Sequence, residues 1–339
     1  MILAKNTFCK VKREDKRSTF TESRENMSGK TTCLLLLCLF VAAPFCAAQS
    51  LRIAFYNVEN AFDTLRSPGK DDAEFTPQGE KRWDTRRYRT KIDHLAQVAA
   101  DLSADLLALA EVENAEVLAD ITQRVREMTG EGYLGICLES GDRRGIHPAL
   151  LYRREVFSPT APAKILPVPH NERGILYVKG AVLASGDTLH LFINHWTSRY
   201  MGQKATEGAR IAAAQRLAQA VDSISGCSES PRIVLLGDLN DTPDEKSIVR
   251  LTALLPELRM HLPSGPGTYY YRGEWLSFDY IFTNFVPKAA LLRLWTKPYL
   301  LTPEGTPWRT FSGPIYRGGY SDHLPVYLDE WIGGLSVKN

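Results

Sequence analysis

Apolar positions recur along this chain with two different periods, and these periods predict strands and helices in alternation. Apolar residues at every second position, or short runs that are apolar throughout, are typical of strands. Apolar residues three and four positions apart are typical of helices. Strands are predicted over residues 51–57, 105–110, 149–157, 175–183, 189–194, 232–236, 278–282 and 324–328. Helices are predicted over residues 92–102, 114–125, 206–224 and 244–255.

Glycine and proline fall between these elements and do not gather into a linker. Residues 63–84 are rich in Gly, Pro and charge and predict a long surface loop, and Gly273-Glu274 predicts a hairpin turn. The sequence therefore predicts one α/β domain, extending over residues 49–339.

The first 48 residues have a different character. A short basic lead at Met27 to Lys30 precedes an uncharged apolar run over 31–45, and small residues follow at 46–48. This order is typical of a secretory signal peptide, so 1–48 is interpreted as a leader with the signal at 27–48 and translation starting at Met27. The run is shorter than the ~20 residues of a membrane span. A retained anchor and a lipoprotein modified at Cys46 are the alternatives.

Removing the leader changes the charge of the protein. The leader holds 8 Lys/Arg and 4 Asp/Glu, so the totals of 41 and 39 become 33 basic and 35 acidic residues. The mature chain then has no overall positive field, and any nucleic-acid binding must come from a local patch. Of the six cysteines, Cys137 and Cys227 remain. An oxidising compartment permits them to pair, but the sequence leaves their pairing open.

Polar side chains interrupt the apolar segments mainly at the ends of predicted strands. They are Asn57, Glu111, His195, Asp238, Asp279 and Asp322. Residues at the rim of a sheet can converge on one cleft, as they do in many α/β enzymes. The pattern therefore predicts a polar site at one edge of the sheet structure.

Two short motifs are the sharpest local signals of this site. Gly237 to Asn240 reads GDLN after an apolar strand, where a buried carboxylate requires a cation or hydrogen-bond donors. An Asx turn is the structural alternative. Asp322 and His323 stand together in SDHLPV, for which a capped turn with a solvated histidine is the alternative. Asp279 in the apolar run SFDYIF requires a partner, either a histidine that it orients or a structural salt bridge.

The remaining candidates are weaker when each is taken alone. Glu111 and Glu113 lie two positions apart, so strand alternation places both on one face, and either could bind a hard cation. One of them could instead cap the next helix. Asn57 could be a satisfied rim amide, and His195 could be structural.

Taken together, these residues resemble the endonuclease/exonuclease/phosphatase superfamily in both order and type. This superfamily includes pancreatic deoxyribonuclease, apurinic endonucleases, inositol-phosphate phosphatases and bacterial sphingomyelinases. The matching succession is Asn57, Glu111, Asn194-His195, the GDLN motif at 237–240, Asp279 and the SDH motif at 321–323. The resemblance spans nearly all of the mature chain. It implies a four-layer α/β sandwich, in which two packed mixed β-sheets are flanked by helices.

The resemblance also implies a metal site and a water site. Glu111 would be the main Mg²⁺ ligand, with Asn57 and Asp322 completing the site, and Mn²⁺ or Ca²⁺ are alternative ions. Asp238 would hold or activate the attacking water, and Asn240 would orient that water or the phosphate. Oxygen ligands of this kind suit Mg²⁺.

Phosphate recognition is implied for a second group of residues. Asp279 and His323 would form a carboxylate–histidine pair at the phosphate, and His195 would protonate the leaving group. Arg173 resembles a phosphate-binding arginine, with an exposed strand-entry charge as the alternative. His147 departs from the pattern, because an acidic residue that orients the histidine at 195 is expected in its place.

The sequence thus predicts an exported, metal-dependent phosphodiesterase, periplasmic or extracellular, with DNA or RNA as the leading substrate. A phosphatase or sphingomyelinase-like activity on a small or lipid-linked phosphoester is the first alternative, which the slight negative charge favours. A non-catalytic binding protein on the same scaffold is the second. The sequence indicates no stable protein partner, so a monomer is expected.

Overall fold

The computed structural model describes residues 49–226, 231–285 and 292–332. The predicted leader, residues 1–48, and Cys227 lie outside the described residues, so the signal peptide stays a prediction and the pairing of Cys137 stays open. None of the described helices combines the length and the apolar composition that a membrane-spanning segment requires.

Eighteen strands and four α-helices make up the described part of the chain. The strands are β1 (Gln49–Ala61), β2 (Leu106–Val112), β3 (Leu134–Cys137), β4 (His147–Tyr152), β5 (Phe157–Pro159), β6 (Lys164–Val168), β7 (Asn171–Val182), β8 (Thr188–His195), β9 (Arg232–Asp238), β10 (Arg259–His261), β11 (Pro263–Ser264), β12 (Tyr269–Tyr271), β13 (Glu274–Leu276), β14 (Asp279–Thr283), β15 (Leu292–Leu294), β16 (Phe311–Ser312), β17 (Ile315–Tyr316) and β18 (Val326–Ile332). The helices are α1 (Thr85–Leu102), α2 (Ala115–Thr129), α3 (Gln203–Ser225) and α4 (Lys246–Leu254).

Two seven-stranded mixed sheets form the centre of the fold. The first has the order β11-β15-β18-β1-β2-β4-β3, with β1 and β2 parallel and β1 and β18 antiparallel. The second has the order β10-β14-β9-β8-β7-β5, with β6 paired to β7 and with β8 and β9 parallel. The short pairs β12-β13 and β16-β17 form separate hairpins. The predicted mixed α/β class is confirmed.

Three hydrophobic layers separate four layers of secondary structure. Along β1, Ile53 and Phe55 pack between the two sheets, whereas Ala54 and Tyr56 pack toward α1 and α2 on the outer face. Helices α3 and α4 cover the outer face of the second sheet. Because both faces of the central strands are mostly buried, a polar side chain is accommodated most easily where a strand ends. The layering therefore concentrates polar chemistry at the sheet edges.

One predicted strand is wrong in its extent. The apolar pattern predicts a single strand over residues 149–157, but β4 ends at Tyr152 and pairs with β2 in the first sheet. Strand β5 begins at Phe157 and pairs with β7 in the second sheet. A turn at 153–156 carries the chain from one sheet to the other. The apolar pattern indicates that a residue is buried but not which sheet covers it. The sequence pattern therefore cannot show that the chain passes from one sheet to the other at this turn.

Candidate active site

Three of the predicted site residues stand side by side at one edge of the second sheet. His195 ends β8, Asp238 ends β9 and Asp279 begins β14, and the strand register pairs Asp238 with both of the others. Gly237, just before Asp238, has no room for a side chain, because a Cβ there would lie 2.1 Å from the backbone oxygen of Asn194. The glycine of GDLN therefore allows β8 and β9 to approach closely beside the site.

Asp238 lies at the centre of this group. One of its carboxylate oxygens, Oδ2, accepts a hydrogen bond from Asn57 Nδ2 at 3.0 Å, and the other, Oδ1, accepts one from the Asn240 backbone N–H at 2.9 Å. The same Oδ2 lies 3.7 Å from His323 Nε2 and 3.8 Å from His195 Nε2. One buried oxygen atom thus faces an amide and two imidazoles across the junction of the two sheets.

The predicted Asp279–His323 pair is formed. His323 Nδ1 lies 2.8 Å from Asp279 Oδ2, and both residues are buried. Burial alone lowers the pKa of His323, but the carboxylates of Asp279 and Asp238 outweigh it and raise the pKa to about 10. Ser321 positions this histidine, since its hydroxyl accepts from the His323 backbone N–H and donates to the Asn57 carbonyl. The pair therefore presents a cationic imidazolium to the cleft.

His195 has a different environment. Its Nε2 lies 3.6 Å from Glu111 Oε1, but within the described residues no hydrogen bond reaches its buried Nδ1. His147, which stands in the expected acidic position, directs Nδ1 to the Ser140 hydroxyl at 2.7 Å. Burial and the nearby Arg173 and Arg144 lower the pKa of His195 well below its usual value, which favours a neutral imidazole.

Glu111 and Glu113 diverge, contrary to the sequence prediction. Glu111 has a left-handed backbone (φ 70°), and its Oε2 accepts from the Asn60 N–H at 2.8 Å while Oε1 faces His195. Glu113 instead accepts from the Asp63 N–H and the Ser67 hydroxyl. The left-handed residue breaks the alternation of the strand, so the two carboxylates no longer share a face. Only Glu111 joins the site.

Two of the three predicted metal ligands, Asn57 and Glu111, contact residues of this cleft. Asn57 donates a hydrogen bond to Asp238, and Glu111 faces His195. Asp322 precedes His323 in the chain and accepts a hydrogen bond from Arg309 Nη2 at 2.9 Å. Within the described residues, the group whose ligand atoms all lie within 4.8 Å of one another is Asp238, Asp279 and His323. Within this group, His323 Nδ1 already has Asp279 Oδ2 as its hydrogen-bond partner at 2.8 Å. Carboxylate and amide oxygens dominate the cleft, and this donor set fits a hard divalent cation.

Two arginines, Arg173 and Arg144, lie on the side of the cleft that holds His195. The sequence indicated only Arg173. Asp142 accepts from Arg173 Nε at 3.0 Å and from the Arg144 backbone N–H at 3.0 Å, and it thereby holds both residues. Arg173 also donates to the Trp196 carbonyl, and Arg144 donates to Asn60 Oδ1. The phosphate-binding role predicted for Arg173 therefore stays a prediction, and Arg144 joins it as a second cation. No pattern distinguishes Arg144 from its basic neighbours in the sequence.

A buried cation and a buried carboxylate also escaped the sequence interpretation. Lys91 interrupts the apolar face of α1, and Glu59 follows Asn57 by two positions; both are buried. Lys91 could have been identified from its spacing, because it lies on the same helix face as Leu95, Val98 and Leu102, and that face packs into the core.

The fold and this site define an α/β-sandwich protein with a cleft suited to phosphoester chemistry, and comparison assigns the family. A profile of the Endonuclease/Exonuclease/phosphatase family matches residues 52–330. The chain belongs to this family. Family members are typically phosphoester hydrolases that depend on a divalent metal. No curated protein matches the sequence.

Solved structures share the fold at low sequence identity. An endonuclease/exonuclease/phosphatase from Bacteroides vulgatus is 16% identical, with a TM-score of 0.58, covering 84% of this chain and 100% of that one. The human Nocturnin catalytic domain is 17% identical (TM-score 0.54; 83% and 94% covered). A mannosyl-6-phosphatase from Bacteroides thetaiotaomicron is 18% identical (TM-score 0.55; 84% and 100% covered). These likenesses concern the fold.

Proposed function

We propose that this protein is a divalent-metal-dependent phosphodiesterase that hydrolyses nucleic acid. The observation that carries the proposal is the position of Asp238 Oδ2, which faces His195 and His323 at under 4 Å and is oriented by Asn57. Phosphodiester hydrolysis requires an activated water, charge stabilisation on the phosphoryl oxygens and help for the leaving oxygen. Asp238 and the two histidines can supply these three functions, because both imidazoles face the same Asp238 oxygen.

Each side chain has a distinct part in the proposed reaction. Asp238 accepts a proton from the attacking water, and Asn240 orients that water. As the water oxygen bonds to phosphorus, the bond to the leaving oxygen breaks, and His195 supplies that oxygen with a proton. His323, held by Asp279, stabilises the negative charge on the phosphoryl group.

Glu111, Asn57 and Asp322 would hold the metal ion. When bound, a divalent cation neutralises charge on the phosphoryl oxygens. Mg²⁺ is the proposed ion because the donors are oxygen atoms, and Mn²⁺ or Ca²⁺ are alternatives.

A row of aromatic rings supports nucleic acid as the substrate. The Tyr269 ring lies 4.8 Å from the His323 ring and 6.2 Å from the Tyr271 ring, which stacks on it at 17°. Tyr271 is 47% exposed at the end of β12, and the Arg272 guanidinium lies 5.2 Å from its ring. An exposed aromatic ring with a cation beside it is the kind of surface on which bases stack in single-stranded nucleic acid.

A phosphatase acting on a small phosphoester is the second candidate. Its support is the mature chain's slight excess of acidic residues, 35 against 33 basic, which offers no general field for a polyanion. A mannosyl-6-phosphatase is among the solved structures with a similar fold, which is consistent with a small phosphoester as substrate. A non-catalytic binding protein is disfavoured, because Asp238 Oδ2 lies 3.8 Å from His195 Nε2 and 3.7 Å from His323 Nε2, an arrangement that suits catalysis.

A substrate panel with variants of Tyr271 tests the proposed function. Purified residues 49–339 would be assayed with single-stranded and duplex DNA, RNA, inositol phosphates, mannose 6-phosphate, sphingomyelin and bis-nitrophenyl phosphate, with Mg²⁺ and with EDTA. We expect the highest kcat/KM on nucleic acid and loss of activity in EDTA. Tyr271→Ala should lower kcat/KM on a single-stranded oligonucleotide about 10-fold, because the stacking surface is lost.

The controls separate stacking from general damage. Tyr271→Phe keeps the ring and should retain activity. On an oligonucleotide with abasic positions around the cleaved bond, Tyr271→Ala and the parent protein should have the same kcat/KM, because no base is present to stack on the ring. Leu183→Ala changes another exposed apolar residue, 53% exposed, next to the end of β7 opposite to the site. A higher kcat/KM on a phosphomonoester than on every nucleic acid would favour the phosphatase instead.

We also infer that the protein is exported and acts outside the cytoplasm. The support is the basic lead, the short apolar run and the small residues that precede Gln49. N-terminal sequencing of protein recovered from the periplasm or medium should place the mature N-terminus near Gln49. Recovery of a chain starting at Met1 or Met27 in the membrane fraction would contradict cleavage and favour an anchored form.

A further inference from the structure

A buried lysine outside the cleft contacts the segment that carries two site residues. Lys91 on α1 is only 1% exposed. Its ammonium donates to the Thr310 hydroxyl at 2.6 Å and to the Tyr320 carbonyl at 2.6 Å. A buried ammonium is unfavourable unless hydrogen bonds and nearby opposite charge compensate it, so this placement requires a reason.

The two acceptors of Lys91 mark the base of a small hairpin. The chain leaves this point at Thr310, runs through β16 and β17, and returns at Tyr320. A further hydrogen bond, from the Thr310 hydroxyl to the Gly319 carbonyl at 3.4 Å, also closes the base. The ammonium therefore joins the outgoing and returning strands of the segment at one point.

A carboxylate from β1 holds the same point from the other side. Glu59 is buried, and its two oxygens accept from the backbone N–H groups of Thr310 at 2.6 Å and Phe311 at 3.0 Å. Its backbone is left-handed (φ 51°), which a glutamate adopts only where its surroundings favour it. Lys91 and Glu59 thus fix the side chain and the backbone of Thr310 together.

The residues next to this anchored point belong to the cleft. Arg309 precedes Thr310, and Ser321, Asp322 and His323 follow Tyr320. Arg309 Nη2 bonds to Asp322 Oδ2 at 2.9 Å, so the two flanks of the hairpin meet at the site. Any movement of the hairpin base would shift Asp322 and His323 relative to Asp238.

We propose that Lys91 is a positioning residue for this site, with Glu59 as its counterpart on β1. Lys91 touches no reacting atom and acts through Thr310 and Tyr320, which set the placement of Arg309, Asp322 and His323. The role rests on the proposed phosphoesterase function. Displacement of reacting groups by about 1 Å can lower a rate by about 10², so a distant anchor can be essential to catalysis.

Two variants weaken the anchor to different degrees, and one matched variant serves as the control. Lys91→Met removes the ammonium, and Thr310→Val removes only the hydroxyl that accepts from it. Thr283→Val is the control, because Thr283 is also fully buried and its hydroxyl also has two partners, His261 Nε2 and the Phe285 carbonyl, at the far end of β14. Thermal unfolding measures the loss of stability in each variant.

The readouts are kcat/KM on bis-nitrophenyl phosphate, the Mg²⁺ concentration for half-maximal rate, and amide hydrogen exchange in the metal-free protein. We expect kcat/KM to fall about 10-fold in Thr310→Val and about 10² in Lys91→Met. Both should need more Mg²⁺ and show faster exchange over residues 309–322. Thr283→Val should lose comparable stability to Thr310→Val but keep kcat/KM within about twofold.

Two results would overturn the positioning role. One is unchanged exchange over 309–322 in both anchor variants; the other is a loss of kcat/KM in Thr283→Val as large as in Thr310→Val. If the parent protein hydrolyses no phosphoester with any metal, the proposed function fails instead. The exchange measurement then still decides whether Lys91 holds the segment.

Discussion

Replacing His323 with alanine is expected to lower kcat/KM by about 10²–10³ on every phosphodiester substrate. This imidazole is held by Asp279 at 2.8 Å and faces Asp238 at 3.7 Å, so its loss removes charge stabilisation and orientation together. Steady-state kinetics on an oligonucleotide and on bis-nitrophenyl phosphate measure the effect. The buried His190, which contacts Tyr177, provides a matched control, and His190→Ala should retain activity.

His195→Ala should separate the two histidines on the same pair of substrates. If His195 supplies the leaving oxygen with a proton, its removal is severe on the oligonucleotide and mild on bis-nitrophenyl phosphate, whose leaving group is already a stable anion. Burial, Arg173 and Arg144 lower the pKa of His195, and an anionic phosphate acts in the opposite direction. We therefore expect His195 to be protonated only with substrate in place. Equal loss on both substrates would contradict the general-acid role and leave His195 with a role in phosphate binding or in the structure of the sheet rim.

Replacing Glu111 with glutamine should lower activity by about 10² or more and raise the Mg²⁺ concentration needed for half-maximal rate. Glutamine keeps the size of the side chain and can still accept from the Asn60 N–H, so the fold should persist. Activity measured across a Mg²⁺ titration, with circular dichroism to verify folding, checks this result. Glu113→Gln is the matched control, because that carboxylate binds the backbone at Asp63 and lies away from His195.

The contrast between these two glutamates tests the metal assignment directly. If Glu111→Gln works at nearly the parent rate at low Mg²⁺ whereas Glu113→Gln does not, the ligand is Glu113 and the assignment made here is wrong. Equal and small losses in both variants would instead indicate that neither glutamate is the main ligand of the ion.

The α/β alternation and the placement of polar residues at strand ends could be predicted from the sequence, and the family resemblance implied the layered sandwich. Strand and helix periods predicted the α/β alternation, because burial on a sheet or helix face imposes those periods. Polar residues such as Asp238 and Asp279 at strand ends predicted the cleft, since a carboxylate within a doubly buried strand has no partner. The order of the motifs then indicated the family, which the profile match over residues 52–330 confirmed.

Only the tertiary structure decided which side chains meet in that cleft. The left-handed backbone at Glu111 turned Glu113 away, and strand alternation cannot predict such a break. Lys91 reaches Thr310, more than two hundred positions away, and Arg144 lies beside His195 because Asp142 holds its loop. Contacts of this kind depend on how distant segments pack and on local backbone geometry. The sequence determined the kinds of residue available for catalysis, whereas packing determined their partners and orientation.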